Sequence, residues 1–170
     1  MSTDLSSLTE PYVHYCVQED PLALVESIMR RHQDLAIVVI DGADVSNLKS
    51  LIAKLNAKLG LRVGYDDTNN DDLLWERLED LVTTDIEFGK FRGCVVIISS
   101  AEHALKSSTH GLVRFGATMH VAGEDNANPL RYLPGINPDY APKPRSVHTI
   151  FCYKKIPRNT PNASLLWFQS

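Results

Sequence analysis

The sequence is poor in cysteine and has no long apolar run. Its three cysteines, Cys16, Cys94 and Cys152, are far apart, and no C-x-x-C pair is present to bind zinc or exchange thiols. An oxidised framework would leave one thiol over, and Cys94 and Cys152 stand in apolar runs, where a thiol behaves as a small buried hydrophobe. No apolar stretch approaches about 18 residues, which argues against a membrane span.

Features of a secretory signal peptide and of cofactor binding are also lacking. The N-terminal residues MSTDLSSLTEPYVHY have neither a basic nor an apolar region, so we expect a cytoplasmic protein. No Walker or dinucleotide glycine pattern follows Asp41-Gly42, and no cofactor is expected. His103 and His110, spaced by seven, would lie two helical turns apart, so together with Glu102 they predict no metal site.

Apolar residues make up 44% of the chain and charged residues 22%, which is typical of a globular protein with its own core. Three apolar runs predict buried strands, namely LAIVVIDG (35–42), CVVIIS (94–99) and VHTIFCY (147–153). Helical spacing of apolar residues predicts a helix from Pro21, one from Ser46 or Asn47 to about Leu59, one over 71–82, and one or two over 101–122, broken near Gly111 or Gly116 and ending before Gly123.

These elements predict an α/β fold, with a small three-stranded parallel sheet packed by helices. We expect residues 1–34 to form an N-terminal extension with one helix. Residues 35–155 are expected to form the α/β domain, which includes a long proline-rich insertion (124–146) before the last strand. Residues 156–170 are expected to be a C-terminal tail.

Charge is distributed unevenly along the chain. Residues 62–87 contain nine acidic and two basic residues, although the net charge of the whole chain is only −4. In the predicted helix DDLLWERLEDLV, the acids Asp72, Glu76 and Asp80 recur at i, i+4, where like charges oppose helix formation by a few tenths of a kcal/mol per pair. Such a surface is either a solvated helix face or a binding face for a basic partner.

The segment VVIDGADVSNLKSLIAKLNAKLGL, followed by NNDDLLWERL, resembles the barstar family of intracellular ribonuclease inhibitors. The shared pattern is an apolar strand ending in a short turn, a Leu-rich helix, a Tyr/Gly/Asn loop and a helix of the form N-x-D-x-L-W-[DE]-x-L. The resemblance covers roughly residues 35–122. It implies a barstar-like fold, and an immunity protein or antitoxin that occludes the active site of a toxin.

Within this resemblance, Asp72 and Glu76 match the two acidic positions that plug the basic active site of a nuclease. Trp75 matches a tryptophan beside them, and Asn70 matches the asparagine that opens the helix. The resemblance implies a toxin partner with a basic cleft, and neither direct nucleic-acid binding nor catalysis is expected. The predicted partner-binding residues are Tyr65, Asp66, Asp67, Asn70, Asp72, Trp75, Glu76, Glu79 and Asp80.

Three alternatives remain open at this point. Asp72 and Glu76 could be the acid and base of a small enzyme, provided that they lie in different environments within a concave site. The same surface could belong to a regulatory protein-interaction module. Trp75 adjoins both the apolar and the acidic face of the predicted helix, so it is either a buried core residue or a half-buried interface aromatic.

Overall fold

A computed structural model describes residues 4–17, 20–59, 71–84, 90–108, 110–132, 135–137, 139 and 142–155. Within these ranges, four parallel strands form one sheet in the order β1-β4-β3-β2. The strands are β1 (Val13–Val17), β2 (Leu35–Asp41), β3 (Gly93–Ser99) and β4 (Ser146–Tyr153). The α-helices in the described ranges are α1 (Pro21–Arg31), α2 (Leu48–Leu59), α3 (Asp71–Thr84) and α4 (Gly111–Ala127).

The fourth strand, β1, corrects the prediction of a three-stranded sheet, whereas the parallel α/β class is confirmed. β1 lies in the segment predicted to be an extension, and it pairs with β4 from Val13–Thr149 to Val17–Tyr153. The alternating burial along VHYCV, with His14 and Cys16 buried, is the pattern of a strand at the edge of a sheet. A polar residue interrupts this short segment, so a search for continuous apolar runs misses it.

The three strands predicted from apolar runs are confirmed. β3 and β4 are buried at every position, as expected for inner strands of a parallel sheet that is covered on both faces. Side chains alternate between the two faces of β3. Val95 and Ile97 pack with α1, whereas Val96 and Ile98 pack into the larger core formed with α2, α3 and α4.

The starts of α1 and α2 follow from their capping residues. Asp20 accepts hydrogen bonds from the backbone N–H groups of Leu22 and Ala23 at 2.9 and 3.4 Å, and Pro21 occupies the first helical position. Asn47, rather than Ser46, caps α2. Its side-chain oxygen accepts from the N–H of Ser50 at 2.9 Å, and the Ser50 hydroxyl donates back to the Asn47 carbonyl at 2.8 Å.

The region 101–122 forms a short 3₁₀ turn (Ala101–His103) followed by α4, so the predicted break near Gly111 is confirmed. α4 runs past Gly123 to Ala127, although the sequence predicts an end before Gly123. The reason is packing, since a Cβ at Gly123 would lie 2.3 Å from the ring of Tyr12. Among the described residues, no helix has the length and hydropathy needed to cross a membrane.

Candidate functional site

α3 carries the most uneven distribution of charge among the described helices. The buried residues on its inner face determine which of its side chains point toward solvent. Leu74, Trp75 and Leu78 are at most 5% exposed and belong to the core between α2, α4 and the sheet. Because these residues recur at three and four positions, they form one buried stripe. The residues between them are therefore turned toward solvent.

The exposed side of α3 contains the acidic face, defined here as Asp72, Glu76 and Glu79. All three residues are exposed, and the side chain of Asp72 has 86% of its surface accessible. Their spacing of four and three residues brings the carboxylates together on adjacent turns of one helix. Asp72 lies in the first turn, where the positive end of the helix dipole stabilises an anion.

Arg114 of α4 connects the acidic face to the core. Its guanidinium group lies 3.8 Å from the Asp72 carboxylate, and its central carbon lies 4.7 Å from the centroid of the Trp75 ring. This arrangement combines an ion pair with a cation–π contact. Arg114 is not recognisable as a site residue from the sequence, because only the packing of α3 on α4 brings it next to Asp72.

Trp75 is a core residue. It is 2% exposed, so its ring contributes almost no accessible surface to the acidic face. Burial is the first of the two alternatives that the sequence left open. The aromatic ring packs under Arg114 and belongs to the same core cluster as Leu78.

The other predicted site residues lie either on α3 or outside the described ranges. Glu76 and Glu79 are exposed as expected, and Asp80 is part of α3, although its side chain lies outside the described residues. Leu73, which follows Asp72 in the chain, is 46% exposed and adds apolar surface to the exposed side of α3. The loop residues outside the described ranges are Tyr65, Asp66, Asp67 and Asn70.

An apolar groove of about 780 Å³ lies beside the edge strand β2. α1 contributes Val25 and Met29 to its wall, and β2 contributes Ile37 and Val39. None of the acidic-face residues lines this groove. The groove and the acidic face of α3 are therefore separate surfaces.

No protein-family model matches the chain, and no curated protein matches it in sequence.

Proposed function

We propose that this chain is an immunity protein or antitoxin of barstar type, which binds a toxin through the acidic face of α3 and occludes its active site. The observation that carries the proposal is the exposure of Asp72, Glu76 and Glu79 on a helix whose opposite side is fixed in the core. An anionic surface of this kind complements the basic active-site cleft of a nuclease, and the complementary charges increase the rate of association.

Rigid placement supports the proposal, because an inhibitor that is already in its binding conformation loses little entropy on association. The buried stripe of Leu74, Trp75 and Leu78 holds α3 against α4. Leu73 adds exposed apolar area on the same helix, so the exposed side of α3 is not only charged. The order of elements from β2 to β4, strand, helix, helix, strand, helix and strand, is compatible with a barstar-like core.

A carboxylate-pair enzyme is the weaker alternative. Acid–base catalysis by two carboxylates requires different environments, in which one group is held protonated and the other ionised. Asp72 and Glu76 are both exposed on one helix surface, so the described part of the chain provides no such contrast. The acidic face is better suited to a protein partner than to a small substrate.

The test begins with affinity capture of the partner from the native cell, with the purified chain as bait. The captured protein is then assayed for cleavage of a fluorogenic RNA while the chain is titrated in. We expect stoichiometric inhibition by the natural sequence. Asp72→Lys combined with Glu76→Lys should abolish it, because truncating even one partner of a buried charge pair in an interface costs about 2–5 kcal/mol, and reversal adds repulsion.

Glu26→Lys is the matched control. Glu26 is an exposed helix acid on α1, on the other side of the sheet, and its reversal should leave inhibition unchanged. Circular dichroism checks that each variant is folded. Equal inhibition by the folded Asp72/Glu76 double variant would refute the binding surface, and a captured partner whose activity the chain does not reduce would refute the inhibitor function.

A further inference from the structure

A second cluster of ionisable side chains lies at the junction of the N-terminal segment and α4. Glu10 precedes β1, whereas His120 and Glu124 project from successive turns of α4. One ligand atom from each of these three residues lies within 4.8 Å of the other two. The cluster uses none of the residues of the acidic face of α3.

The backbone brings these residues together by a specific packing contact. Gly123 has no side chain, so the ring of Tyr12 can lie directly against α4 at this position. The Tyr12 hydroxyl donates a hydrogen bond to the Leu8 carbonyl at 2.8 Å, and its ring lies 5.9 Å from the ring of His120. Glu10, two residues before Tyr12, is thereby held over the turn of α4 that carries His120.

The distances within the cluster are too long for direct hydrogen bonds. His120 Nε2 lies 4.0 Å from Glu10 Oε1 and 3.9 Å from Glu124 Oε1. A charge-assisted N–H···O bond is about 2.7–2.9 Å long. Two ligands of one tetrahedral zinc ion, each at about 2.1 Å, lie roughly 3.4 Å apart. To bring all three atoms around one ion, His120 would approach each carboxylate by roughly 0.5 Å, and the two carboxylate oxygens would approach each other by at most about 1.4 Å.

The second oxygen of Glu124 is engaged by another residue. Arg131 Nη1 lies 3.5 Å from Glu124 Oε2, which leaves Oε1 directed toward His120. An outer-shell hydrogen-bond partner such as Arg131 orients a carboxylate that binds a metal ion through its other oxygen. The side chains of Glu10, His120 and Glu124 are 64%, 40% and 30% exposed, so an ion can reach them from solvent.

We propose that Glu10, His120 and Glu124 form a binding site for a divalent transition-metal ion, with Zn²⁺ as the ion that fits best. One imidazole nitrogen and two carboxylate oxygens suit zinc, whereas calcium takes six or more oxygen ligands. The three protein ligands leave the fourth position to water. The bound ion fastens the segment before β1 to α4, and so links the edge strand to the helix layer.

The experiment titrates Zn²⁺ into the full chain after removal of metals with EDTA, in competition with a chromogenic chelator. We expect one zinc ion per chain. Glu10→Gln and His120→Gln should each weaken binding about tenfold or more, because even loss of an outer-shell partner reduces metal affinity by about that factor. Glu10 is largely exposed, so its variant tests the site without risk to the fold.

His103→Gln is the matched control. His103 Nε2 lies 3.7 Å from Glu102 Oε1, and it therefore reproduces one histidine–glutamate pair of the cluster on another element. Its substitution should leave zinc affinity unchanged. Hydrogen exchange adds a second measurement, in which zinc should slow exchange in residues 8–12 of the natural sequence but not of the Glu10→Gln chain. Zinc binding that is absent, or unaffected by Glu10→Gln and His120→Gln, would overturn the proposal and leave an ion-pair cluster only.

Discussion

Acid should destabilise this protein through a pair of buried histidines that join β1 to β4. His14 and His148 are 0% and 1% exposed, and His14 Nε2 lies 3.0 Å from His148 Nδ1. His148 Nε2 lies 3.1 Å from the Ser7 carbonyl, which can only accept, so this nitrogen carries the proton. In the neutral pair, His148 Nδ1 is then the acceptor and His14 Nε2–H the donor.

Burial makes protonation of this pair unfavourable in the folded state. Burial, together with a smaller effect of the neighbouring His148, lowers the pKa of His14 from 6.5 to about 3. Burial also lowers the pKa of His148, although the backbone carbonyls of Ser7 and Pro11 partly oppose this. Below pH 6.5 the unfolded chain binds protons that the folded chain does not, so stability falls as the pH falls toward 3.

The size of the effect follows from the shift of His14 alone. At pH 5 the unfolded form with a pKa of 6.5 is almost fully protonated, whereas a folded form with a pKa of about 3 is not. This difference lowers the free energy of unfolding by about 2 kcal/mol relative to pH 7.5. A domain of ordinary stability has about 5–15 kcal/mol in total, so the loss is measurable.

Urea unfolding at intervals between pH 7.5 and pH 5 measures this loss. His14→Gln removes the titrating ring but keeps an N–H donor for His148, and the loss of stability over this range should shrink by about 2 kcal/mol. His103→Gln changes a histidine whose side chain is 44% exposed and should leave the pH dependence unaltered. The reasoning is refuted if the natural sequence and the His14→Gln chain lose equal stability between pH 7.5 and pH 5.

Two further predictions concern packing and oxidation. Gly123→Ala should lower the free energy of unfolding by about 1–3 kcal/mol, because its Cβ would overlap an aromatic ring. Gly116→Ala should raise it by up to about 1 kcal/mol, because a Cβ there meets nothing closer than 3.6 Å. Equal effects of the two substitutions in thermal melts would contradict this prediction. Cys16 and Cys152, paired in register with their sulfur atoms 3.1 Å apart, should form a disulfide when the protein is treated with diamide. Thiol titration of the unfolded protein should then find one free thiol per chain, and three free thiols would exclude the bond.

Of the four strands among the described residues, three are predicted from the sequence and one is not. The difference comes from how completely each strand is buried. β3 and β4 are buried on both faces, so nearly every position is apolar and the run is visible without context. β1 alternates, and its buried residues include His14, whose Nε2 pairs with Nδ1 of His148 on the neighbouring strand. That contact forms only when β1 pairs with β4 in the folded chain, so no local pattern in residues 13–17 predicts it.

The acidic face of α3 and the cluster at α4 differ in the same way, because the first is formed by residues close in sequence and the second by residues that folding brings together. The acids of α3 are neighbours in sequence, so helical spacing places Asp72, Glu76 and Glu79 on one side without knowledge of the fold. The cluster at α4 combines His120 and Glu124, spaced by four, with a glutamate more than a hundred residues earlier. Only the packing of Tyr12 against Gly123 reveals that Glu10 belongs with them.

The position of Arg114 gives Trp75 an indirect role at the acidic face. Trp75 is buried, and its ring supports the guanidinium group that reaches Asp72. An exposed ion pair at this distance is worth only about 0–1 kcal/mol, so Arg114 restrains the Asp72 carboxylate without neutralising it. Trp75 therefore contributes to the acidic face by positioning the Arg114–Asp72 pair.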